Sequence, residues 1–133
     1  MLLGENVKAL ANFKEAVERN KDFDSLWNLM VAYIQIGDLK ETKNIFAEVG
    51  KLPKEAIDAE SLKELYNAYI NNEDWEGAKD VMEEIVKFDN NNADLYIKLA
   101  TIYHKLNDDK KAEELLQKAV KIDPSLEDKY FVK

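Results

Sequence analysis

The feature that most constrains this chain is a recurrence of the same residue types at one long interval. Tyr33, Tyr69 and Tyr103 lie 36 and 34 residues apart, and Leu29, Leu65 and Leu99 keep both intervals, as do Thr42, Ala78 and Ala112. The register extends backward: Ala9, Phe13 and Ala16 stand 33 residues before Thr42, Phe46 and Val49, and Gly4 stands 33 before Gly37. A period of this length marks stacked supersecondary units, each unable to bury its own apolar face alone.

Within one period the pattern is helical. The stretch "DLYIKLATIYHKLNDDKKAEELLQKAVKIDP", Asp94 to Pro124, reads as two amphipathic helices joined by a tight polar turn. Only Pro53 and Pro124 interrupt the chain, and long alternating runs of Val, Ile and Thr are absent. Leu29, Met30 and Tyr33 share one stripe of a first helix, while Ala78 and Ala112 allow two backbones to approach. Asp38, Asp74 and Asp108 begin the second helix of each pair, where a carboxylate accepts from free backbone N–H groups. Gly37 and Asn107 precede two of them and tolerate a left-handed turn. Glu73 does not, which predicts local strain of about 1 kcal/mol. The expected helices cover about residues 5–19, 24–36, 39–51, 59–72, 75–87, 93–106 and 109–121.

A two-helix unit of this length resembles the tetratricopeptide repeat. The last copy carries Tyr96, Leu99, Ala100, Tyr103, Ala112, Ala119 and Pro124 in that family's places, with Leu116 where an aromatic usually falls. The copy before it has Leu62, Leu65, Tyr66, Tyr69, Ala78 and Met82, and "DNNN" replaces its closing proline. The first full copy has Leu26, Leu29, Met30, Tyr33, Thr42 and Phe46 and closes on Pro53. The resemblance implies an all-α fold, a right-handed α-solenoid of helix-turn-helix tetratricopeptide repeats with about seven helices plus a C-terminal stub. The divisions are a half repeat at 1–22, full repeats at 23–58, 59–92 and 93–126, and the start of another at 127–133. Both outermost segments look uncapped, Leu10, Phe13 and Val17 at one end and Tyr130 and Phe131 at the other. We therefore expect an excerpt of a longer protein, or pairing of the ends between molecules.

Chemistry is sparse. There is no cysteine, His104 is the single histidine, and no Gly-rich phosphate loop occurs, so no catalytic residue, metal site or cofactor is assigned. The net charge of −8, from 27 acidic against 19 basic residues, disfavours nucleic acid and anionic membranes as partners. No apolar run reaches the roughly 18 to 20 residues that span a bilayer, and cytoplasmic residence is the expectation for the chain as given.

What the resemblance implies instead is surface: the first helices line a concave groove for a peptide or partner segment. The lining residues in its register are Trp27, Val31, Ile34 and Gln35 in the first full copy. Lys63, Asn67, Ile70 and Asn71 follow in the second, and Ile97, Thr101, His104 and Lys105 in the third. Trp27 is either an anchor for a ligand side chain or a packing residue against the preceding helix. Lys63 and Asn67 match the opening pair of the carboxylate clamp known from heat-shock co-chaperones, but Lys98 stands where that clamp needs asparagine, and Asp128 and Val132 stand where it needs basic residues. The expected function is therefore a non-catalytic scaffold for a protein or peptide. A self-assembling module, or a recruiting tail of a larger enzyme or membrane protein, is the alternative.

Overall fold

The structure is a computed structural model that describes residues 2–131. Its helices are α1 (Leu2–Arg19), α2 (Phe23–Ile36), α3 (Leu39–Gly50), α4 (Ala59–Asn71), α5 (Trp75–Phe88), α6 (Ala93–Lys105), α7 (Asp109–Ile122) and a short α8 (Glu127–Phe131). Single 3₁₀ turns at Lys54–Ala56 and Pro124–Leu126 punctuate the connections. No strand occurs among the described residues. The chain divides into two compact units, Met1–Asp58 and Ala59–Lys133.

Three turns of near-identical construction join α2 to α3, α4 to α5 and α6 to α7. In the first, Gly37 N–H donates to the Ile34 carbonyl at 3.1 Å and Asp38 N–H to the Tyr33 carbonyl at 3.0 Å. In the second, Glu73 and Asp74 donate to Ile70 and Tyr69 at 3.0 and 2.9 Å; in the third, Asn107 and Asp108 donate to His104 and Tyr103 at 3.0 and 2.9 Å. This paired closure requires a left-handed residue, and φ is +80° at Gly37, +56° at Glu73 and +65° at Asn107. The aspartate that follows caps the next helix: Asp38 accepts from Glu41 N–H, Asp74 from Gly77 N–H and Asp108 from Lys111 N–H, all at 3.0 to 3.1 Å. One dipeptide thus ends one helix and starts another. That is why the spacing from tyrosine to aspartate is fixed at five residues.

In the first unit α2 packs on both α1 and α3. Phe23, Leu26 and Val49 form a buried cluster, with Val17, Ile45, Leu52 and Ile57 around it. Helix α2 begins one residue earlier than the sequence suggests, because Asp22 caps it by accepting from Ser25 N–H at 2.8 Å and so carries Phe23 into the core. Thr42 occupies the small-residue place and is buried, its hydroxyl donating to the Asp38 carbonyl at 2.8 Å. Lys21, in the α1–α2 connection, reaches Glu48 of α3 at 2.6 Å, and Lys51 meets the other oxygen of that carboxylate at 2.8 Å.

In the second unit α4 packs on α5, α5 on α6 and α6 on α7. Leu62, Ala78, Val81, Met82, Ile85, Tyr96, Leu99, Ala100, Ile102 and Ala119 are buried there. At the α4–α5 contact Gly77 permits an approach that no other residue would: a Cβ on it would lie 2.6 Å from the Tyr69 ring. Two tyrosine hydroxyls tie the unit together. Tyr96 donates to the Asn90 carbonyl at 2.9 Å, fastening the "DNNN" connection that has no proline. Tyr103 on α6 donates to Glu83 on α5 at 3.0 Å, and burial, with that carboxylate next, pushes its phenol up to about 12.

Candidate functional site

The faces expected to bind are those of α2 in the first unit and of α4 and α6 in the second. On α2, Trp27, Val31 and Ile34 recur at i, i+4 and i+7, which aligns them along one side; all three are half-buried and Gln35 beside them is exposed. Trp27 leans on the Phe23–Leu26–Val49 cluster and stacks on the Phe23 ring, centroid to centroid 5.1 Å with 23° between planes. One part of the indole therefore belongs to the core of the unit, and only its remaining edge is open to solvent.

On α4, Lys63, Asn67 and Asn71 are exposed and Ile70 is half-buried. Lys63 is paired with Glu60 at 3.3 Å, one turn back. On α6, Ile97 is half-buried, and Thr101 is exposed with its hydroxyl returned to the Ile97 carbonyl at 3.0 Å. His104 is exposed and places Nδ1 2.6 Å from the Asp109 carboxylate. Lys105 holds its ammonium 5.5 Å from the Trp75 ring centroid, so this lysine is turned toward α5 and gives Trp75 a partner within the same unit.

Two clefts mark the second unit. The first, about 410 Å³, opens between the start of α4, the end of α5 and the start of α6. Leu62, Ile85, Phe88 and Leu95 supply apolar walls, while Lys63 and Lys98 stand with Asp89 and Asp94 at its edge. Lys98 lies 3.4 Å from Asp94, so both lysines meet a carboxylate of their own helix. Asn67 does not line this cleft, and of the twelve residues expected to bind only Lys63 does. Leu95, Lys98 and Phe88 were not among the expected residues. Leu95 and Lys98 belong to the opening turns of α6 and Phe88 to the end of α5, places outside the stripe on which the groove positions were counted. The second cleft, about 370 Å³, contains two expected residues, Thr101 and His104, together with side chains of α7 and Tyr130 of α8.

Among the described residues no three His, Asp or Glu side chains gather to hold a metal ion, and no helix is long and apolar enough to cross a membrane. Apolar patches flanked by amides and by lysines already matched with acids suit recognition of a polypeptide, with backbone groups satisfied by the amides.

No curated protein shows significant sequence similarity to the chain. Among solved structures, one described as the crystal structure of MamA is similar at 22% identity with a TM-score of 0.52, covering 92% of this chain and 71% of that one. A MamA RS-1 double mutant is similar at 25% identity with a TM-score of 0.51, covering 91% and 67%. The fold is thus an all-helical repeat architecture of the kind those structures show. The tetratricopeptide repeat family model matches residues 69–130, so over that span the chain is similar to the tetratricopeptide repeat family.

Proposed function

We propose that the chain is a non-catalytic protein-interaction scaffold that receives a peptide or partner segment on the first-helix faces. The observation that carries this is on α4 and α6: half-buried Ile70 shares α4 with exposed Asn67 and Asn71, half-buried Ile97 shares α6 with exposed Thr101, and a cleft with apolar walls and balanced charge, lined by Lys63, opens between the starts of the two helices. Such a surface favours a ligand bound through an apolar side chain and through its backbone, with Lys63 and Lys98 selecting against a strongly basic neighbour. On α2 the open edge of Trp27, with Val31 and Ile34, offers an equivalent apolar strip. The similarity to helical-repeat structures agrees with a scaffold.

Peptides selected from a random display library against the whole chain test this. Ile97→Asp or Lys63→Glu is expected to weaken the selected peptides at least tenfold, a loss of about 1.4 kcal/mol. Ala47→Asp, on exposed α3, is expected to leave them unchanged. Peptides indifferent to Ile97 and Lys63 would sink the proposal.

A second reading, self-association, has one observation in its favour: Val7, Ile36 and Leu39 of the first unit are exposed at 60%, 41% and 63%. Sedimentation over a concentration series checks it, with growing mass as the supporting result and a constant monomer mass as the opposing one.

A further inference from the structure

The 370 Å³ cleft between α6, α7 and α8 differs in chemistry from the face just described. Its floor is Ala100, Ala112 and Leu116, and Tyr130 of α8 forms a wall. Asp109 and Glu113 stand on its rim, both exposed and one helical turn apart on α7. Among the described residues no lysine or arginine lines it, and His104, 2.6 Å from Asp109, is the basic side chain of its lining. Of the cations nearest in sequence, Lys105 lies over Trp75 and Lys111 meets Glu114 at 4.0 Å, while Lys110 is exposed beside Asp109 and Lys129 lies 5.5 Å from the centroid of the Tyr130 ring that walls the cleft. The surrounding unit is also the acidic one. Residues 59–133 hold 17 acidic against 11 basic residues, where residues 1–58 hold 10 against 8.

An apolar slot with a carboxylate rim complements a side chain that is apolar along its stem and positive at its tip. We propose that this cleft docks an amphipathic helical segment of a partner protein that presents Lys or Arg beside an aliphatic residue. The stem and the aliphatic neighbour lie on Ala100, Ala112 and Leu116, and the cation lies between Asp109 and Glu113. The excess of acid in the unit speeds encounter with such a segment. The inference rests on the scaffold reading but adds side chains of α7 and α8 to Thr101 and His104.

The single histidine makes the test specific, because its ring proton gives one imidazole resonance from inside the cleft. The probes are two 14-residue helical peptides, one of leucine and lysine and one of leucine and glutamate, titrated into the full chain. The lysine peptide is expected to move the His104 signal to saturation, and the glutamate peptide to leave it in place. The double variant Asp109→Asn, Glu113→Gln is expected to weaken the lysine peptide about tenfold. Glu18→Gln with Glu55→Gln, which removes the same charge from the first unit, leaves binding as it was. Ile97→Asp, which weakens the selected peptides at least tenfold under the proposed function, leaves the His104 response intact, so the two readings fail separately. Equal weakening by both double variants, an unmoved His104 signal, or an equal shift from the glutamate peptide would overturn the inference. So would growth of mass with concentration that Leu116→Glu abolishes, since that places a second copy in the cleft.

Discussion

The two units use one helix-pair plan and hold it together differently. In the first, the tyrosine near the end of α2, Tyr33, is buried with the Lys14 ammonium 5.9 Å from its ring centroid, and an aromatic stack of Phe23 with Trp27 borders the core. In the second, Tyr69 lies directly on the backbone at Gly77, and Tyr96 and Tyr103 spend their hydroxyls on Asn90 and Glu83. Both units bury apolar area; the first adds an aromatic stack and a surface tie of Lys21 and Lys51 to Glu48, the second a close approach at Gly77 and two tyrosine hydroxyl bonds. The contrast shows that a repeat fixes positions, whereas the physics at each position is renegotiated copy by copy.

The largest expected effect tests what the units share. Leu26 and Leu62 hold the same place, each with no exposed surface, and Leu→Ala at either is expected to cost about 2 to 5 kcal/mol by denaturant titration. A difference greater than that range between them would show that the two cores are not equivalent. Next comes the feature they do not share. Gly77→Ala drives a methyl into the Tyr69 ring and is expected to cost about 1 to 3 kcal/mol, whereas Glu41→Ala, at the corresponding half-buried position in the first turn of α3, is expected to cost less, within about 0.5 kcal/mol. Similar losses at both positions would contradict the close approach.

The turns give a smaller and opposite effect. Glu73→Gly is expected to raise stability by about 1 kcal/mol, because it removes a side chain from a left-handed residue; Gly37→Ala is expected to lower it by a similar amount. A lower melting temperature for Glu73→Gly would refute the strain assigned there.

The smallest effect separates the units by pH. Hydrogen bonds from Lys21 and Lys51, with their charges, hold the Glu48 carboxyl down to about 2. Its folded value is below its unfolded one, so its contribution is complete above about 4.5 and is lost as pH falls toward 2. Glu48→Gln is therefore expected to flatten the acid limb of the stability profile, modestly because the pair is solvent-screened. Tyr103 has the reverse sign. Its folded value lies above the ordinary 10, so its contribution is present below 10 and disappears as pH rises toward 12. An acid limb that Glu48→Gln leaves unchanged would contradict the ion-pair account.

Much of this was legible in the sequence. Apart from the start of α1, which lies three residues before the expected one, helix ends fell within a residue or two, and Asp38, Asp74 and Asp108 are local signals whose effect needs no tertiary context. Even the unfavourable φ at Glu73 was readable, since the pattern at Gly37 and Asn107 dictated it. What the pattern did not show was pairwise. Gly77 looks like an isolated helix glycine until the Tyr69 ring is placed against it, and Lys105 looks like a groove cation until Trp75 is found beneath it. The binding faces are legible only as positions: clefts arise from how helices pack, and Leu95, Lys98 and Tyr130 join them from places outside the repeat's groove register.

The central claim is that the first helices carry recognition. The most direct measurement is amide chemical-shift mapping of the uniformly labelled chain as a display-selected peptide is added. The account predicts perturbations on α2, α4 and α6, with Ile70 and Ile97 foremost. Perturbations confined to the exposed residues of α3 and α5 would contradict it.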